Sequence, residues 1–191
     1  LSIVNDGYAE FAKKSNYVLH CDPKAARVIA KVAEGFPYYA HLLAGAAGAE
    51  ALYARKHEIT VPDIFQSMVV AIEDADHSIR TSYVGSTTAR ADANLELTLI
   101  ACAMAKQDEI GYFSSTDVAR ALTDLAGMRR TSAHVNAHLS KFSSPPHWIL
   151  DRKEISERKI RYRFRDPLMR PFVLLKGYQI GAIKDGADAD G

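Results

Sequence analysis

The 191-residue sequence lacks the patterns that announce a catalytic chemistry. It has no Gly-x-x-x-x-Gly-Lys-Ser/Thr, hence no phosphate loop of its own. Gly-x-Ser-x-Gly, Cys-x-x-Cys and Gly-x-Gly-x-x-Gly are also missing, so no nucleophile elbow, redox pair or dinucleotide turn is spelled out. The two cysteines, Cys21 and Cys102, are too few and too far apart for a disulfide framework. They read as reduced thiols of an intracellular, cytoplasmic protein. The longest apolar run, around residues 36–49, contains His41 and falls short of the roughly 20 residues that span a bilayer. It reads as a closely packed core helix, and no membrane partner is expected. The chain opens Leu-Ser-Ile-Val, without Met or a signal peptide, and is expected to be the rear part of a longer protein.

Histidine and acid clusters do not supply a site either. His134 and His138 are four apart, as metal ligands on a helix can be, but no Glu lies between them and no Cys is near. His138 falls toward the apolar side of the wheel, so a packed histidine is expected and no metal. Glu73, Asp74 and Asp76 read as a solvated helix face. No catalytic residue and no cofactor is assigned to this chain.

What is there is apolar patterning, at 48% of residues, and a sharply uneven charge. Val4, Tyr8 and Phe11 recur at helical spacing. Asp22-Pro23 is a helix start that stops at Gly35, and Phe36-Pro37 starts a helix to about Lys56. Its small residues, among them Ala44, Gly45 and Gly48, predict close backbone approach. Thr60 with Asp63 starts another helix, with Phe65, Met68, Ile72 and Ile79 as its stripe. Residues 83–93 lose the periodicity and predict a linker. Further helices are predicted at 94–108, 115–126 (capping box Ser114/Asp117, stop at Gly127) and 131–142. Trp148-Ile-Leu150 reads as a short strand. Lys159 to Arg165 alternates strictly, with Ile160, Tyr162 and Phe164 inward and Lys159, Arg161, Arg163 and Arg165 outward. Pro171 predicts a kink in a last helix. The organisation is thus 1–82 helical, 83–93 linker, 94–183 a second domain and 184–191 a frayed tail.

Residues 129–165 carry ten Lys/Arg against three acids, a surplus of seven in a chain whose net charge is +1. The order helix, helix, helix, two strands spells a winged helix-turn-helix, with Ala126-Gly-Met-Arg-Arg130 as its turn. Such a basic surface suits nucleic-acid phosphates. The third helix would enter a major groove. His134 and Asn136 are the candidates for base edges, and Lys141 for bases or phosphates. Arg129 and Arg130 are placed for backbone contacts, and the turn from Arg152 to Lys159, with Lys153 and Arg158, forms the wing; Arg161 adds to the same surface. The other reading is a wing that docks protein, where outward Arg on an exposed strand only resists edge pairing.

Two stretches carry a family likeness. Ala33-Glu-Gly-Phe-Pro-Tyr-Tyr-Ala-His-Leu-Leu43 and Arg161-Tyr-Arg-Phe-Arg-Asp-Pro-Leu-Met-Arg170 resemble, respectively, the start of the lid helix and the strand-to-helix exit of the winged domain in AAA-type ATP-binding proteins of the origin-recognition kind. The resemblance spans nearly the whole chain. It implies a mainly α fold: an all-helical lid followed by a winged helix with a small β-ribbon. It also implies an N-terminal P-loop ATPase domain in the same polypeptide, with ATP and Mg bound there, and a lid that passes nucleotide state to the winged helix. The family often carries an Arg three residues after the lid Gly, aimed at a phosphate. Here Tyr38 stands there, followed by Tyr39, so the lid senses nucleotide by stacking or hydroxyl contact, or not at all. The function expected is DNA binding, to duplex DNA, by the regulatory portion of an ATPase, with no enzyme activity in this chain alone. The alternative is a protein-interaction or self-association module of an ATPase.

Overall fold

Helix starts written into the sequence set three of the first four helices. The computed structural model describes residues 2–15, 17–88, 94–156 and 159–184, which are mainly helical and divide into two compact units, the first ending at Ala75 and the second beginning at Asp76. The first unit runs α1 (Ser2–Ser15), β1 (His20–Cys21), α2 (Pro23–Ala33), α3 (Pro37–Tyr53), β2 (Glu58–Ile59) and α4 (Val61–Asp74). Asp22 caps α2 by accepting from Lys24 N–H at 2.9 Å, with Pro23 at the first helical position where its missing N–H costs nothing. The chain leaves α2 through two left-handed residues, Glu34 (φ 47) and Gly35 (φ 83). Asp63 closes the start of α4, accepting from Thr60 N–H at 2.8 Å and from Thr60 Oγ1 at 2.6 Å.

β1 and β2 pair in parallel over two residues each, and α3 packs against α1, α2 and α4 around Ile29, Tyr39, Leu43, Ile64 and Met68. Of the small residues of α3, Ala46, Ala47, Gly48 and Ala51 are buried, and Gly48 lies close against Tyr8. A Cβ at Gly48 would stand 3.2 Å from Tyr8 Cε1, and the Tyr8 hydroxyl donates to Ala44 O at 2.6 Å. Nothing lies within 4 Å of a Cβ at Gly45, and Gly45, His41 and Ala49 are exposed. The closely packed core helix predicted for 36–49 thus buries one side, with Tyr39, Leu43 and Ala47, and exposes the other.

The second unit runs α5 (His77–Thr87), α6 (Asn94–Met104), α7 (Ser115–Ala126), α8 (Ser132–Phe142), β3 (Leu150–Ser156), β4 (Lys159–Phe164) and α9 (Met169–Gln179). α6 is its centre, with Leu95, Leu99, Ile100 and Cys102 fully buried, packed against α5, α7, α8 and α9. Ser114 and Asp117 cap α7, and Gly127 ends it at φ 65. β3 and β4 form an antiparallel ribbon pairing Leu150 with Phe164 and Arg152 with Tyr162. Phe113 pairs with Tyr162 from the other side of β4, each N–H donating to the other's C=O at 2.9 Å. Among the described residues no helix is long and apolar enough to cross a membrane.

Several boundaries differ from the sequence reading, among them the end of α6, at Met104 and not at residue 108. The helix predicted through Ile79 breaks at Ala75, because Asp76 caps a new helix by accepting from Ser78 N–H at 2.8 Å. Asp76 is thus a cap rather than part of a solvated helix face. The linker predicted at 83–93 begins later. Residues 83–87 complete α5, where Tyr83 is buried, donates to Glu96 Oε1 at 2.7 Å and meets the Phe172 ring edge-on at 5.4 Å. Residues 89–93, and 185–191 of the predicted tail, lie outside the described residues. Pro171 sits in the first turn of α9, where no intrahelical donor is lost, so the helix begins there instead of kinking. Trp148 and Ile149 precede β3 instead of opening it, Trp148 with a positive φ of 33.

Candidate nucleic-acid interface

α8 is amphipathic and carries no acid. Val135, Leu139 and Phe142 are buried; His134, Asn136, Ala137 and Ser140 are exposed; Lys141 is half-buried. The alanine and serine between the larger polar groups keep the face shallow, so a neighbouring surface can approach the helix backbone closely. Asn136 and Ser140, the first residues of α7, and Arg152, Lys159 and Arg161 of the ribbon line one polar recess of about 550 Å³.

His134 is partly committed. Its Nδ1 accepts from Thr131 N–H at 3.1 Å and lies 2.7 Å from Thr131 Oγ1, taking the third place of a capping box. The ring proton then sits on Nε2, and the exposed edge offers a donor. His138 is packed as predicted: its Nδ1 lies 2.8 Å from Thr98 Oγ1, whose own proton goes to Asn94 O at 2.8 Å. Its ring lies 6.4 Å from that of Phe142.

The arginines are not alike. Arg129 is exposed, as expected. Arg130 is half-buried, with Nη2 3.5 Å from Met128 Sδ and its backbone N–H donating to Thr123 Oγ1 at 2.8 Å, so it buttresses the turn instead of standing out for a phosphate. Arg161 is only 27% exposed and lies 4.0 Å from Asp117 Oδ2. Arg163 and Arg165 both reach Asp151, at 3.3 and 3.4 Å. Of the outward row predicted for β4, Arg161, Arg163 and Arg165 are held by the carboxylates of Asp117 and Asp151, while Lys159 stands exposed.

The predicted wing turn is shorter than expected, since Arg152–Ser156 belong to β3, and Arg158 lies outside the described residues. Pairing with the buried Tyr162 puts Arg152 on the helix side of the ribbon, over the recess, whereas Lys153 pairs with Arg161 on the other side. Among the described residues, no ion pair engages Arg129, Lys141, Arg152, Lys153 or Lys159.

Of the tyrosines read as nucleotide sensors, Tyr39 is fully buried in its own unit and has no ring face to offer a ligand. Tyr38 is 38% exposed and stands edge-on to Tyr39 at 5.0 Å. The sequence reading missed the aromatic partners of the ribbon. Arg165 lies 4.2 Å over Trp148, and Arg163 4.9 Å over Tyr112. Trp148 is exposed and Tyr112 half-buried, and both sit in connectors without periodicity, so no sequence spacing flagged them.

No protein-family model matches the chain, and no curated protein or solved structure matches it.

Proposed function

We propose that residues 94–183 are a winged helix that lays α8 against duplex DNA, and that the chain is the regulatory, non-catalytic portion of an AAA-type ATPase. The observation that carries the reading is the acid-free exposed face of α8, joined across one polar recess to Arg152 and Lys159 of the ribbon. The element order supports it, including Phe113 as a one-residue third strand ahead of α7. Asn136 is the group for an adenine edge, and the Nε2 donor of His134 for a guanine or thymine acceptor. Arg129, Lys141, Arg152, Lys153 and Lys159 supply phosphate contacts, which need charge more than fixed geometry. The first unit is then the lid, with α3 opening at Pro37, just after Gly35-Phe36, as the resemblance requires. ATP and Mg belong to a P-loop domain of the same polypeptide. With Tyr39 buried, Tyr38 is the residue left to meet the nucleotide.

The internal pairing of Arg161, Arg163 and Arg165 favours a second reading, a protein-docking or self-association module that needs less free charge. Fluorescence anisotropy with duplex DNA across a salt series separates the two. Under the DNA reading, affinity falls steeply with salt, and the double change Arg152→Ala and Lys159→Ala lowers the slope by about two. Asn136→Ala costs about 1–3 kcal/mol on a preferred site and little elsewhere. Absence of binding at low salt leaves protein docking as the function.

A further inference from the structure

Asp151, Arg163 and Arg165 form a second set of groups on the ribbon, outside the recess lining, which the α8 reading does not use. Asp151 and Arg163 are paired across the ribbon and share a face, and Arg165 follows two residues on. The Asp151 carboxylate holds one edge of each guanidinium, at 3.3 and 3.4 Å. An aromatic ring takes the face of each: Trp148 at 4.2 Å from Arg165 and Tyr112 at 4.9 Å from Arg163. Lys153 Nζ stands 5.7 Å from the Tyr112 centroid as well. Two guanidiniums are thus fixed in place with N–H groups left over, a preorganised pair of anion-binding forks.

Trp148 is held in an arrangement that packing alone does not favour. Its φ of 33 is disfavoured for a residue with a Cβ, and the ring is left 50% exposed. Beside it opens a shallow recess of about 470 Å³, bounded also by His147, Arg165, Asp166, Pro167 and Met169. It has an indole and a proline for a flat partner, and an imidazole and a carboxylate for hydrogen bonds to its edge.

We propose that this recess takes an unpaired base of a single-stranded nucleic acid, stacked on Trp148, while Arg165 and Arg163 meet successive phosphates. Stacking platforms beside a cationic track are what single strands use. A duplex keeps its bases paired and stacked on one another, so only a strand with an unpaired base can lay one on Trp148. Together with α8 on a duplex, the unit would hold a junction between double and single strand, so the inference rests on the nucleic-acid reading above.

Trp148 is the sole tryptophan, so its emission reports on this recess alone. The full chain is titrated with a deoxythymidine oligomer and with an abasic oligomer of the same length, and duplex binding is followed separately by anisotropy. The base-bearing oligomer should quench Trp148 to saturation while the abasic one does not. Trp148→Leu should weaken single-strand binding by roughly five- to a hundredfold, leaving duplex affinity unchanged, and Trp148→Phe should keep most of it. Equal quenching by the abasic oligomer, or undiminished single-strand binding by a folded Trp148→Leu chain, overturns the proposal. Duplex binding without base-dependent quenching overturns it and leaves the α8 reading standing; failure to bind either nucleic acid at low salt removes both.

Discussion

Replacing Tyr83 with Phe tests whether α5 belongs structurally to the second unit. The ring, edge-on to Phe172, is kept; only the hydroxyl that donates to Glu96 Oε1 at 2.7 Å is lost. A hydrogen bond to a charged acceptor contributes about 1.5–3 kcal/mol. Glu96 is half-buried and can recover water, which puts the cost near the lower end, about 1.5 kcal/mol. With a urea slope of about 1.5–2 kcal/mol/M, the unfolding midpoint should fall by roughly 0.8–1 M. Trp148 lies in the same unit and is the only tryptophan, so its emission follows the relevant transition without signal from the first unit. Tyr83→Ala, which also removes the buried ring, should cost about 3–5 kcal/mol. The alkaline limb gives a second check. Burial, and then the bond to Glu96, push the Tyr83 hydroxyl well above the ordinary tyrosine value. A raised folded value means that this contribution is complete below the unfolded value of about 10 and is lost as pH rises past it. The gap between the native chain and Tyr83→Phe should therefore be flat through neutral pH and narrow above about pH 10. A Trp148 midpoint that neither variant moves would show that α5 is not part of this unit and that the expected linker at 83–93 was the better boundary.

Other tests address particular contacts. Hydrogen bonds from Lys56 and then Thr60 lower Asp63 to about 2, so its contribution is present above about pH 4 and lost between about 4 and 2. Asp63→Asn should loosen the first turn of α4 by about 1 kcal/mol at neutral pH, read as faster hydrogen exchange there, with the difference gone near pH 2. Two mid-helix glycines, Gly45 and Gly177, should respond with opposite signs in thermal denaturation. Gly45→Ala enters open space and should stabilise by about 0.5–1 kcal/mol. At Gly177 a Cβ would lie 2.7 Å from Ile183 Cδ1 and 3.1 Å from Ile100 Cγ2, so Gly177→Ala should destabilise by about 1–2 kcal/mol despite its better helix propensity. A stabilised Gly177→Ala would mean that α9 does not press on α6 as described.

How far the site was legible depended on how local each interaction is. His138 could be read as packed and Asn136 as exposed from the helical wheel alone, because Val135, Leu139 and Phe142 mark the buried side of α8. Arg130, Arg161, Arg163 and Arg165 could not be told from Arg129 by type or spacing. The groups that hold the last three, Asp117, Asp151 and Trp148, come from other parts of the chain, and which arginine each one holds is decided only when those parts meet. The burial of Tyr39, read from the sequence as a candidate nucleotide sensor, is likewise non-local, because α1, α2 and α4 choose which face of α3 is covered.

By itself, the sequence determined the helix starts at Asp22, Thr60 and Ser114, the stop at Gly127 and the alternation that turns Tyr162 and Phe164 inward. Each of these is settled within a few residues, by a side chain capping its own turn, by glycine's tolerance of positive φ, or by the two-residue period of a strand. The tertiary structure alone decided that α5 joins the second unit, that Phe113 adds a third partner to the ribbon, and that the basic strand divides into arginines held by Asp117 and Asp151 and cations that stand over the recess beside α8. Those outcomes depend on contacts between residues far apart in the chain, where burial and the pairing of charges, rather than local propensity, select one arrangement.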